Sequence, residues 1–317
     1  MQEVKIGNKK KGVLELCAGG GGQFLGLEAA GFECVGAVEI EAEYCRTLHY
    51  NRPKLNIINA DLKHFDAKSF IGVDLVAGGV PCPPFSIAGK QFGQDDDRDL
   101  FPYALKIIRQ TSPKAVLLEN VPGLALSKFD SYRQNIQHEL AKLGYWSEWK
   151  ILNASDFGVP QLRPRLILVA LTNNFENTFE WPKPLSKKIT VGKTLFDLMA
   201  ENGWTGAKKW SKKANGIGPT LVGGSKKHGG PDLGPTRARQ QWKNLGVDGI
   251  GIADSAPDIK FPEDGLPRLT VRMTARVQGF PDSWQFPGRK TASYRQIGNA
   301  FPPAVAKAVG TQILTAI

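Results

Sequence analysis

The sequence has no apolar stretch that approaches the roughly 20 residues needed by a membrane-spanning helix. Its first five residues, MQEVK, also lack the apolar core of a secretory signal. We therefore expect a protein of the cytosol. The 317 residues, of which 41% are hydrophobic, suffice for one large globular domain or two modest ones.

Cysteine is scarce, with four residues at positions 17, 34, 45 and 82, and their spacing matches neither a zinc site nor a redox pair. We expect no metal centre, and in a reducing compartment all four should be free thiols. Cys82 lies in a glycine- and proline-rich turn, GGVPCPPFS, directly after the apolar run 73–77. Because loops at strand ends carry the chemistry of many α/β proteins, Cys82 is a candidate nucleophile. A buried cysteine that only packs is the alternative.

Acidic residues are nearly missing between Lys183 and Lys243, where 13 lysines and arginines face three carboxylates. The net charge of this segment is therefore +10, and that of the whole chain is +11. A charge run is usually a solvated surface. An excess concentrated in one segment favours a phosphate-binding surface instead.

The first 171 residues alternate between short apolar segments and helical patterns, which predicts an α/β fold with a mainly parallel sheet covered on both faces. The predicted strands are 12–17, 34–38, 56–58, 73–77, 115–118, 146–152 and 166–171, and the predicted helices are 24–30, 41–51, 100–110 and 132–143. Glycine, proline and lysine then dominate to about residue 267, which predicts a smaller domain of irregular or β structure with one clear helix at 194–201. Residues 303–317 return to an amphipathic helix.

Four consecutive glycines, Gly19–Gly22, follow the first predicted strand and let a backbone approach a ligand closely. Dinucleotides, phosphates and S-adenosylmethionine all use such a turn. Glu39 ends the second strand about 20 residues later, where a carboxylate accepts hydrogen bonds from a ribose diol. Asp61 follows the third strand and can meet an adenine amino group. Each acid alone could be a solvated loop residue, but together they predict a nucleoside-type cofactor.

Two further groups follow later strands. Glu119 comes directly after the apolar run of the fifth strand, where desolvation would raise its pKa and let it hold a proton near neutral pH. A carboxylate that caps a turn is the alternative. Arg163 and Arg165 are two residues apart on an extended segment, so both side chains project to one face. Arginine suits phosphate binding or polarisation of a carbonyl, and a plain surface pair is the alternative.

These motifs, in this order, resemble the bacterial cytosine-5 DNA methyltransferases over almost the whole chain. Pro81-Cys82 matches the catalytic Pro-Cys of that family, Glu119–Val121 its Glu-Asn-Val motif, and Gln161–Arg165 its Gln-x-Arg-x-Arg motif. Cys17–Gly22 resembles the first, cofactor-binding motif, residues 268–281 are similar to the ninth, and residues 296–302 match the closing Ile-Gly-Asn motif.

The resemblance implies a Rossmann-like, S-adenosylmethionine-dependent methyltransferase fold with a mixed, mainly parallel sheet. It implies a catalytic domain at 1–178 and 284–317 and an irregular or β target-recognition domain at 179–283, with the closing helix packed beside the first motif. The cofactor would be S-adenosylmethionine, with S-adenosylhomocysteine as the product. Its expected contacts are Cys17, Gly19, Gly21, Gly22, Glu39, Ile40, Asp61, Leu62, Leu100 and Asn299.

The implied reaction methylates carbon 5 of a cytosine flipped out of a specific double-stranded DNA sequence. Cys82 would attack carbon 6, and Glu119 would donate a proton or hydrogen bond at ring nitrogen 3. Arg163 or Arg165 is the expected cation that helps to ionise Cys82. The expected DNA contacts are Ser86, Lys226, Lys227, Arg237, Arg239, Gln240 and Gln241.

The sequence departs from the family pattern at a few positions. Cys17 stands where an aromatic residue is usual, which bears on how one face of the cofactor is packed. Val80 and Pro83 replace the more usual residues around Pro-Cys and bear on the mobility of the loop that closes over the target. Met273 stands where glutamate is common, and we expect a structural consequence only.

Three alternative functions fit these motifs less well. An RNA substrate is the first, but the branch that methylates transfer RNA carries a Cys-Phe-Thr segment that this chain lacks. A nicotinamide-dependent oxidoreductase would leave Cys82, Glu119 and the arginine pair without roles. Intact Cys82 and Glu119 also argue against an inactive DNA-binding module. We expect a monomer in the bacterial cytoplasm, associated with the nucleoid, with a cognate restriction endonuclease as a functional partner.

Overall fold

The structure is a computed structural model that describes residues 10–82, 99–224, 230 and 232–317, without the side chains of residues 176 and 177. The strands in this part of the chain are, in order, β1 (Gly12–Leu16), β2 (Glu33–Glu39), β3 (Ile57–Asn59), β4 (Leu75–Gly78), β5 (Ala115–Asn120), β6 (Tyr145–Asn153), β7 (Gln161–Leu162), β8 (Pro164–Thr172) and β9 (Gly218–Pro219).

The α-helices of the same residues are α1 (Gly22–Ala30), α2 (Ala42–Asn51), α3 (Phe101–Thr111), α4 (Asp130–Lys142), α5 (Val191–Ala200), α6 (Ala207–Lys213), α7 (Thr236–Asn244), α8 (Val271–Gln278), α9 (Lys290–Asn299) and α10 (Pro303–Ala316). Of these helices, none combines the length and apolar character required to cross a bilayer.

Seven strands form one sheet in the order β3-β2-β1-β4-β5-β8-β6. The first five are parallel, whereas β8 runs antiparallel to both β5 and β6. The mixed, mainly parallel sheet expected from the sequence is therefore confirmed, and all seven predicted strands occur within two residues of their expected bounds.

The strand order reverses direction between β1 and β4. From β1 the chain passes outward to β2 and β3, and it then crosses to β4 and β5 on the other side. Loops leaving the carboxyl ends of β1 and β4 therefore diverge and open a crevice, the usual ligand site of such sheets. The glycine-rich turn follows β1, and the Pro81-Cys82 turn follows β4, so the topology brings these two motifs together.

Helices cover both faces of the sheet, as expected for apolar strands that are buried on two sides. Helices α3 and α4 pack on one face through residues such as Ile107 and Ile136. Helices α1 and α10 pack on the other, where a Cβ at Gly26 would lie 2.3 Å from the carbonyl oxygen of Pro303. Glycine is thus required for this approach, which holds the closing helix beside the first motif.

The sequence predicts irregular or β structure with one clear helix for residues 179–283, and the structure has more helices there than expected. Among the described residues of this region the strand content is the two-residue β9, whereas α5 to α8 are helices. Helix α5 matches the one helix predicted there. Helices α6 and α7 escaped prediction because their sequences are mostly cationic and polar, and each buries one large tryptophan, Trp210 or Trp242, in place of an apolar stripe.

Helix α8 lies between two cores. Met273 and Val277 pack into the core of the smaller region around Trp242, whereas Ala275 packs with Phe24 of α1. Both regions therefore share α8, which ends just before the predicted domain boundary at 283/284. The division of the chain into two domains stays a prediction. Met273 also caps α8, because its sulfur accepts a hydrogen bond from the Thr270 amide at 3.5 Å.

Candidate active site

A cavity of about 280 Å³ lies at the carboxyl edge of the sheet. Nine of the ten residues predicted to bind a cofactor line it, namely Cys17, Gly19, Gly22, Glu39, Ile40, Asp61, Leu62, Leu100 and Asn299. The tenth, Gly21, instead caps the start of α1 with φ 87°. A Cβ there would lie 2.6 Å from the ring of Trp284, so only glycine fits at this position of the turn.

Glu39 connects the end of β2 to the glycine-rich turn. Its two buried carboxylate oxygens accept hydrogen bonds from the backbone amides of Gly19 at 2.7 Å and Glu41 at 2.8 Å. Burial raises the pKa of this carboxyl, although the two amide bonds oppose the shift. The two amides thus fix the Glu39 side chain at the cavity wall. Its carboxylate oxygens can accept hydrogen bonds, which is what ribose hydroxyl donors need.

Three polar residues that sequence reasoning missed also line the cavity: Glu15 of β1, Gln23 of α1 and Gln296 of α9. All are at least nine-tenths buried, and each has side-chain atoms without a hydrogen-bond partner. Burial alone raises the pKa of Glu15 to about 8. One signal was present in the sequence, since Glu15 is a lone carboxylate inside the apolar strand VLEL.

Cys82 follows β4 and is half-buried; it is not itself among the residues that line this cavity, but Pro81, directly before it, is. The thiol donates a hydrogen bond to Oδ1 of Asn120 at 3.0 Å, and Nδ2 of Asn120 donates to the carbonyl of Val80 at 2.8 Å. Asn120, the middle residue of the Glu-Asn-Val motif, therefore holds the turn and orients the sulfur.

Burial raises the pKa of the Cys82 thiol to about 11, and the carboxylates of Asp99 and Glu119 add to that shift. Asp99 is itself held by Tyr132, whose hydroxyl donates to it at 2.7 Å. Within the described residues, the charges that act on Cys82 are therefore negative. Cys82 is a neutral thiol at neutral pH in this state.

Glu119 lies near the end of β5 with 9% of its surface exposed, and it also lines the cavity. Its Oε1 lies 2.6 Å from Nε of Arg165. The antiparallel pairing of β8 with β5 explains this contact, because it brings the start of β8 to the end of β5. Burial raises the pKa of Glu119, although Arg165 and Arg163 oppose the shift.

The structure corrects the expectation that Arg163 or Arg165 lies beside Cys82 as an activating cation. Arg165 pairs with Glu119. Arg163 is buried, and its guanidinium donates to the backbone carbonyls of Leu221 at 2.8 Å, Gly298 at 2.7 Å and Ala300 at 2.9 Å. Arg163 therefore joins Leu221 of the smaller region to the closing motif, because its fork of donors satisfies carbonyls that would otherwise be buried without partners.

Of the expected DNA contacts, Ser86, Lys226 and Lys227 lie outside the described residues. Arg237, Gln240 and Gln241 are exposed and spaced to share one face of α7, which buried Trp242 anchors to the protein. Arg239 is engaged differently, since it pairs with Asp232 at 3.0 Å and donates to the Thr236 hydroxyl at 3.2 Å.

The chain matches the family model described as C-5 cytosine-specific DNA methylase over residues 12–315. It is 53% identical to the Type II methyltransferase M.NaeI of Lentzea aerocolonigenes, an alignment that covers 96% of this chain and 75% of that protein. It is 54% identical to the Type II methyltransferase M.NgoMIV of Neisseria gonorrhoeae, with 96% and 97% covered.

Solved structures show the same fold. A DNA modification methyltransferase encoded within an E. coli prophage matches with a TM-score of 0.67 at 23% identity, over 97% of this chain and 99% of that one. A DNMT2 mutant of Spodoptera frugiperda matches with a TM-score of 0.67 at 20% identity, over 96% and 99%. The match of the family model and the identity to the two relatives together show that this chain belongs to the C-5 cytosine-specific DNA methylases and is a DNA (cytosine-5-)-methyltransferase.

Proposed function

We propose that this protein transfers a methyl group from S-adenosylmethionine to carbon 5 of a cytosine that is flipped out of a specific double-stranded DNA sequence. The reaction proceeds through a transient bond between Cys82 and carbon 6. The observation that carries the proposal is one cavity whose lining includes both the expected cofactor residues Glu39 and Asp61 and the expected catalytic residue Glu119, together with Pro81 directly before Cys82.

The residues of the cavity fit the cofactor. Glu39 offers fixed acceptor oxygens to the ribose hydroxyls, and Ile40, 59% exposed, offers an apolar side chain beside them. The partnerless carboxylate of Glu15 suits a positively charged group. When bound, S-adenosylmethionine supplies an activated methyl group and leaves as S-adenosylhomocysteine.

The target ring needs activation by the protein, because carbon 5 of a cytosine is a poor nucleophile. Cys82 gives its proton to solvent, and its sulfur bonds to carbon 6 as the 5,6 double bond opens. Glu119 donates a proton to ring nitrogen 3 as this bond forms, and Arg165 holds Glu119 in place. Carbon 5 then bonds to the methyl group, solvent takes the proton of carbon 5, Cys82 leaves as a thiolate, and the nitrogen 3 proton returns to Glu119, which restores the aromatic ring.

DNA binding must supply the cost of flipping a base, which is a few kcal/mol. The exposed lysines of α6, Lys208, Lys212 and Lys213, provide phosphate contacts. The exposed face of α7 provides polar side chains for base edges, where one good bidentate contact discriminates by about 1–3 kcal/mol.

Binding to the cognate duplex should weaken steeply with salt, as expected when several phosphate contacts release counterions. Replacing Arg237 by alanine should weaken cognate binding by about 1–3 kcal/mol without lowering the melting temperature, because the side chain is exposed. Lys307→Ala, an exposed cation on α10, is the matched control. Fluorescence anisotropy at several salt concentrations measures both effects, and a flat salt dependence would contradict the phosphate-binding role.

The names of its relatives, which are Type II methyltransferases, support a proposal for the setting of the enzyme. We propose that it protects one DNA sequence from a cognate restriction endonuclease. It would act as a monomer on the nucleoid of a bacterial cytoplasm.

Bisulfite sequencing of genomic DNA from cells that express the chain tests the proposal. Cytosine at one position of one sequence should resist conversion, and hydrolysed DNA should contain 5-methyl-2′-deoxycytidine. Cells that express the Cys82→Ala variant should show neither. Complete bisulfite conversion of every cytosine in DNA from cells that express the wild-type chain would refute the proposed activity.

A further inference from the structure

The start of α3 is tied to the turn that carries Cys82. The backbone amide of Leu100 donates a hydrogen bond to the carbonyl of Pro81 at 3.1 Å. Because Asp99 precedes Leu100 and Cys82 follows Pro81, this bond brings Asp99 and Cys82 side by side in adjacent segments. Their side chains also interact, since the Asp99 carboxylate acts on the Cys82 thiol more strongly than the carboxylate of Glu119 does.

The Asp99 side chain is held in place by two donors. Its Oδ1 accepts a hydrogen bond from the Phe101 amide at 3.0 Å, and the hydroxyl of Tyr132 on α4 donates to Oδ1 at 2.7 Å and to Oδ2 at 2.8 Å. The Tyr132 ring packs edge-on against Phe101, with ring centroids 6.0 Å apart. Asp99 thus has a fixed position between α4 and the Cys82 turn, and it is half-buried, which leaves it in contact with water.

The thiol must lose a proton when its sulfur bonds to carbon 6, and its hydrogen-bond partner is not a base. The thiol donates to Oδ1 of Asn120 at 3.0 Å, and an amide oxygen does not take up a proton at neutral pH. Glu119 has to keep its proton for ring nitrogen 3. Burial raises the pKa of Tyr132, and Asp99 and Cys82 add to that shift, so Tyr132 stays a neutral hydroxyl. Of these described groups, Asp99 is the base that can take the proton.

We propose that Asp99 accepts the proton of the Cys82 thiol as the sulfur bonds to carbon 6 of the target ring, and that Tyr132 holds Asp99 in place for this transfer. The inference rests on the covalent mechanism proposed above and adds the route by which the proton reaches solvent. The S–H bond breaks, its electron pair forms the bond to carbon 6, and the proton joins a carboxylate oxygen of Asp99. The electrons of the 5,6 double bond pass into the ring as Glu119 protonates nitrogen 3. Asp99 then gives its proton to water, which restores the carboxylate.

This route avoids a second negative charge at the site. Burial raises the pKa of the Cys82 thiol to about 11, and the charge of Asp99 adds to that shift because a thiolate beside a carboxylate is unfavourable. A proton that passes from the thiol to Asp99 leaves the local net charge unchanged. Transfer within hydrogen-bond reach, or through one bridging water, is the usual geometry of a general base.

Asp99→Asn distinguishes a proton acceptor from a carboxylate that only repels the thiolate. Asparagine keeps an oxygen for the Phe101 amide and the Tyr132 hydroxyl but has neither charge nor basicity. Loss of the charge should lower the pKa of Cys82 from about 11, so iodoacetamide should alkylate Cys82 several-fold faster at pH 8.5, measured by mass spectrometry of the Cys82 peptide. The single-turnover rate of methyl transfer at pH 7.5 should nevertheless fall by about 100- to 10,000-fold, the contribution of a positioned base.

The pH dependence of methyl transfer gives a second readout. In Asp99→Asn the thiol must ionise into solvent before it attacks, so the rate should rise about tenfold per pH unit below the pKa of Cys82. The wild-type rate should rise less, and the deficit of the variant should shrink from pH 7 to pH 9. The other described groups that face this pair are Tyr132 of α4 and Glu119 of β5 with its partner Arg165 of β8. Both enzymes contain them, so their titration cancels in the ratio of the two rates.

Two further variants control for position and for orientation. Asp66→Asn, the same change at an exposed position between β3 and β4, should match the wild type in alkylation and in methyl transfer. Tyr132→Phe keeps the Asp99 carboxylate but removes the hydroxyl that holds it, so its rate should fall less than that of Asp99→Asn. Melting temperatures and the Kd for the cognate duplex show whether each variant is folded and binds DNA.

An Asp99→Asn variant that methylates as fast as the wild type, or faster, would overturn the inference, because Asp99 would then only repel the thiolate. A variant that is slower in both measurements, with the same deficit from pH 7 to pH 9, would also overturn it, because its role would then be structural. If Asp99→Asn does not fold, the wild-type enzyme decides. A wild-type methylation rate that rises with pH in step with alkylation of Cys82 would show that no protein base takes the proton.

These outcomes are separate from those of the proposed function. A failed prediction for Asp99 leaves a wild-type enzyme that still methylates DNA through Cys82. A wild-type enzyme that forms no covalent species with a trapping duplex would refute the covalent mechanism itself, whatever Asp99→Asn does.

Discussion

Replacing Cys82 by alanine is expected to abolish methyl transfer while DNA binding survives. Without the sulfur, carbon 6 of the target ring is not attacked and carbon 5 stays unreactive, so the rate should fall by at least about a thousand-fold. The fold should tolerate the change, because the thiol makes one hydrogen bond to Asn120, and Asn120 keeps its bond to the Val80 carbonyl. Transfer of a tritiated methyl group to the cognate duplex measures the rate.

A duplex with 5-fluorocytosine at the target position tests the covalent step directly. Fluorine cannot leave carbon 5 as the proton does, so the wild-type enzyme should remain bonded to the DNA through denaturing electrophoresis. Cys82→Ala should form no such species. Cys34→Ala is the matched control, because its thiol donates to the Gly36 carbonyl near the start of β2, at the opposite end of that strand from the cavity residue Glu39. Turnover or a trapped adduct in Cys82→Ala would refute the mechanism.

Replacing Glu119 by glutamine should slow the chemical step by about 100- to 10,000-fold, the range that one positioned acid contributes. Glutamine keeps the size of the side chain and can still accept a hydrogen bond from Arg165, but it has no acidic proton for ring nitrogen 3. Burial favours the protonated form of Glu119 by raising its pKa, so the wild-type group can hold that proton nearer to neutral pH than an ordinary carboxyl. Single-turnover rates at saturating DNA and cofactor isolate this step.

The Glu119→Gln variant should also be less stable, because Arg165, with 11% of its side chain exposed, loses its charged partner. Calorimetry separates this effect from the catalytic one, since a folded variant at the assay temperature must still be slow. Glu33→Gln changes the same group at an exposed position and should keep the wild-type rate. A Glu119→Gln variant with an unaltered rate would remove the acid from the mechanism.

Most strands of the sheet were predictable because they are short, largely apolar runs that end in glycine, proline or a polar residue, although β6 mixes apolar and polar residues. Helices α6 and α7 were not, because their lysine-rich sequences carry no apolar period and each is anchored by a single buried tryptophan. The sequence therefore predicts fewer helices in this region than the structure has, since glycine and proline mark turns without indicating what lies between them.

Most of the predicted cofactor residues line the cavity because they share one property that is visible in sequence, a place just after a parallel strand. Glu15 and Gln296 were missed because they lie inside a strand and a helix, where the sequence does not tell which neighbours will surround a polar side chain. Arg163 was misplaced because its partners, Leu221, Gly298 and Ala300, are 58, 135 and 137 residues away along the chain.

The sequence by itself determined the class of reaction and the groups that perform it, because a thiol, a carboxyl and a glycine-rich turn keep their chemistry wherever the chain places them. Only the tertiary structure decided which charges act on those groups. Because β8 runs antiparallel to β5, Arg165 pairs with Glu119 and not with Cys82. The packing of α1 over the sheet buries the carboxylate of Glu15 without a hydrogen-bond partner. Such neighbours depend on the path of the whole chain and on exclusion of water, and no local pattern of residues encodes either.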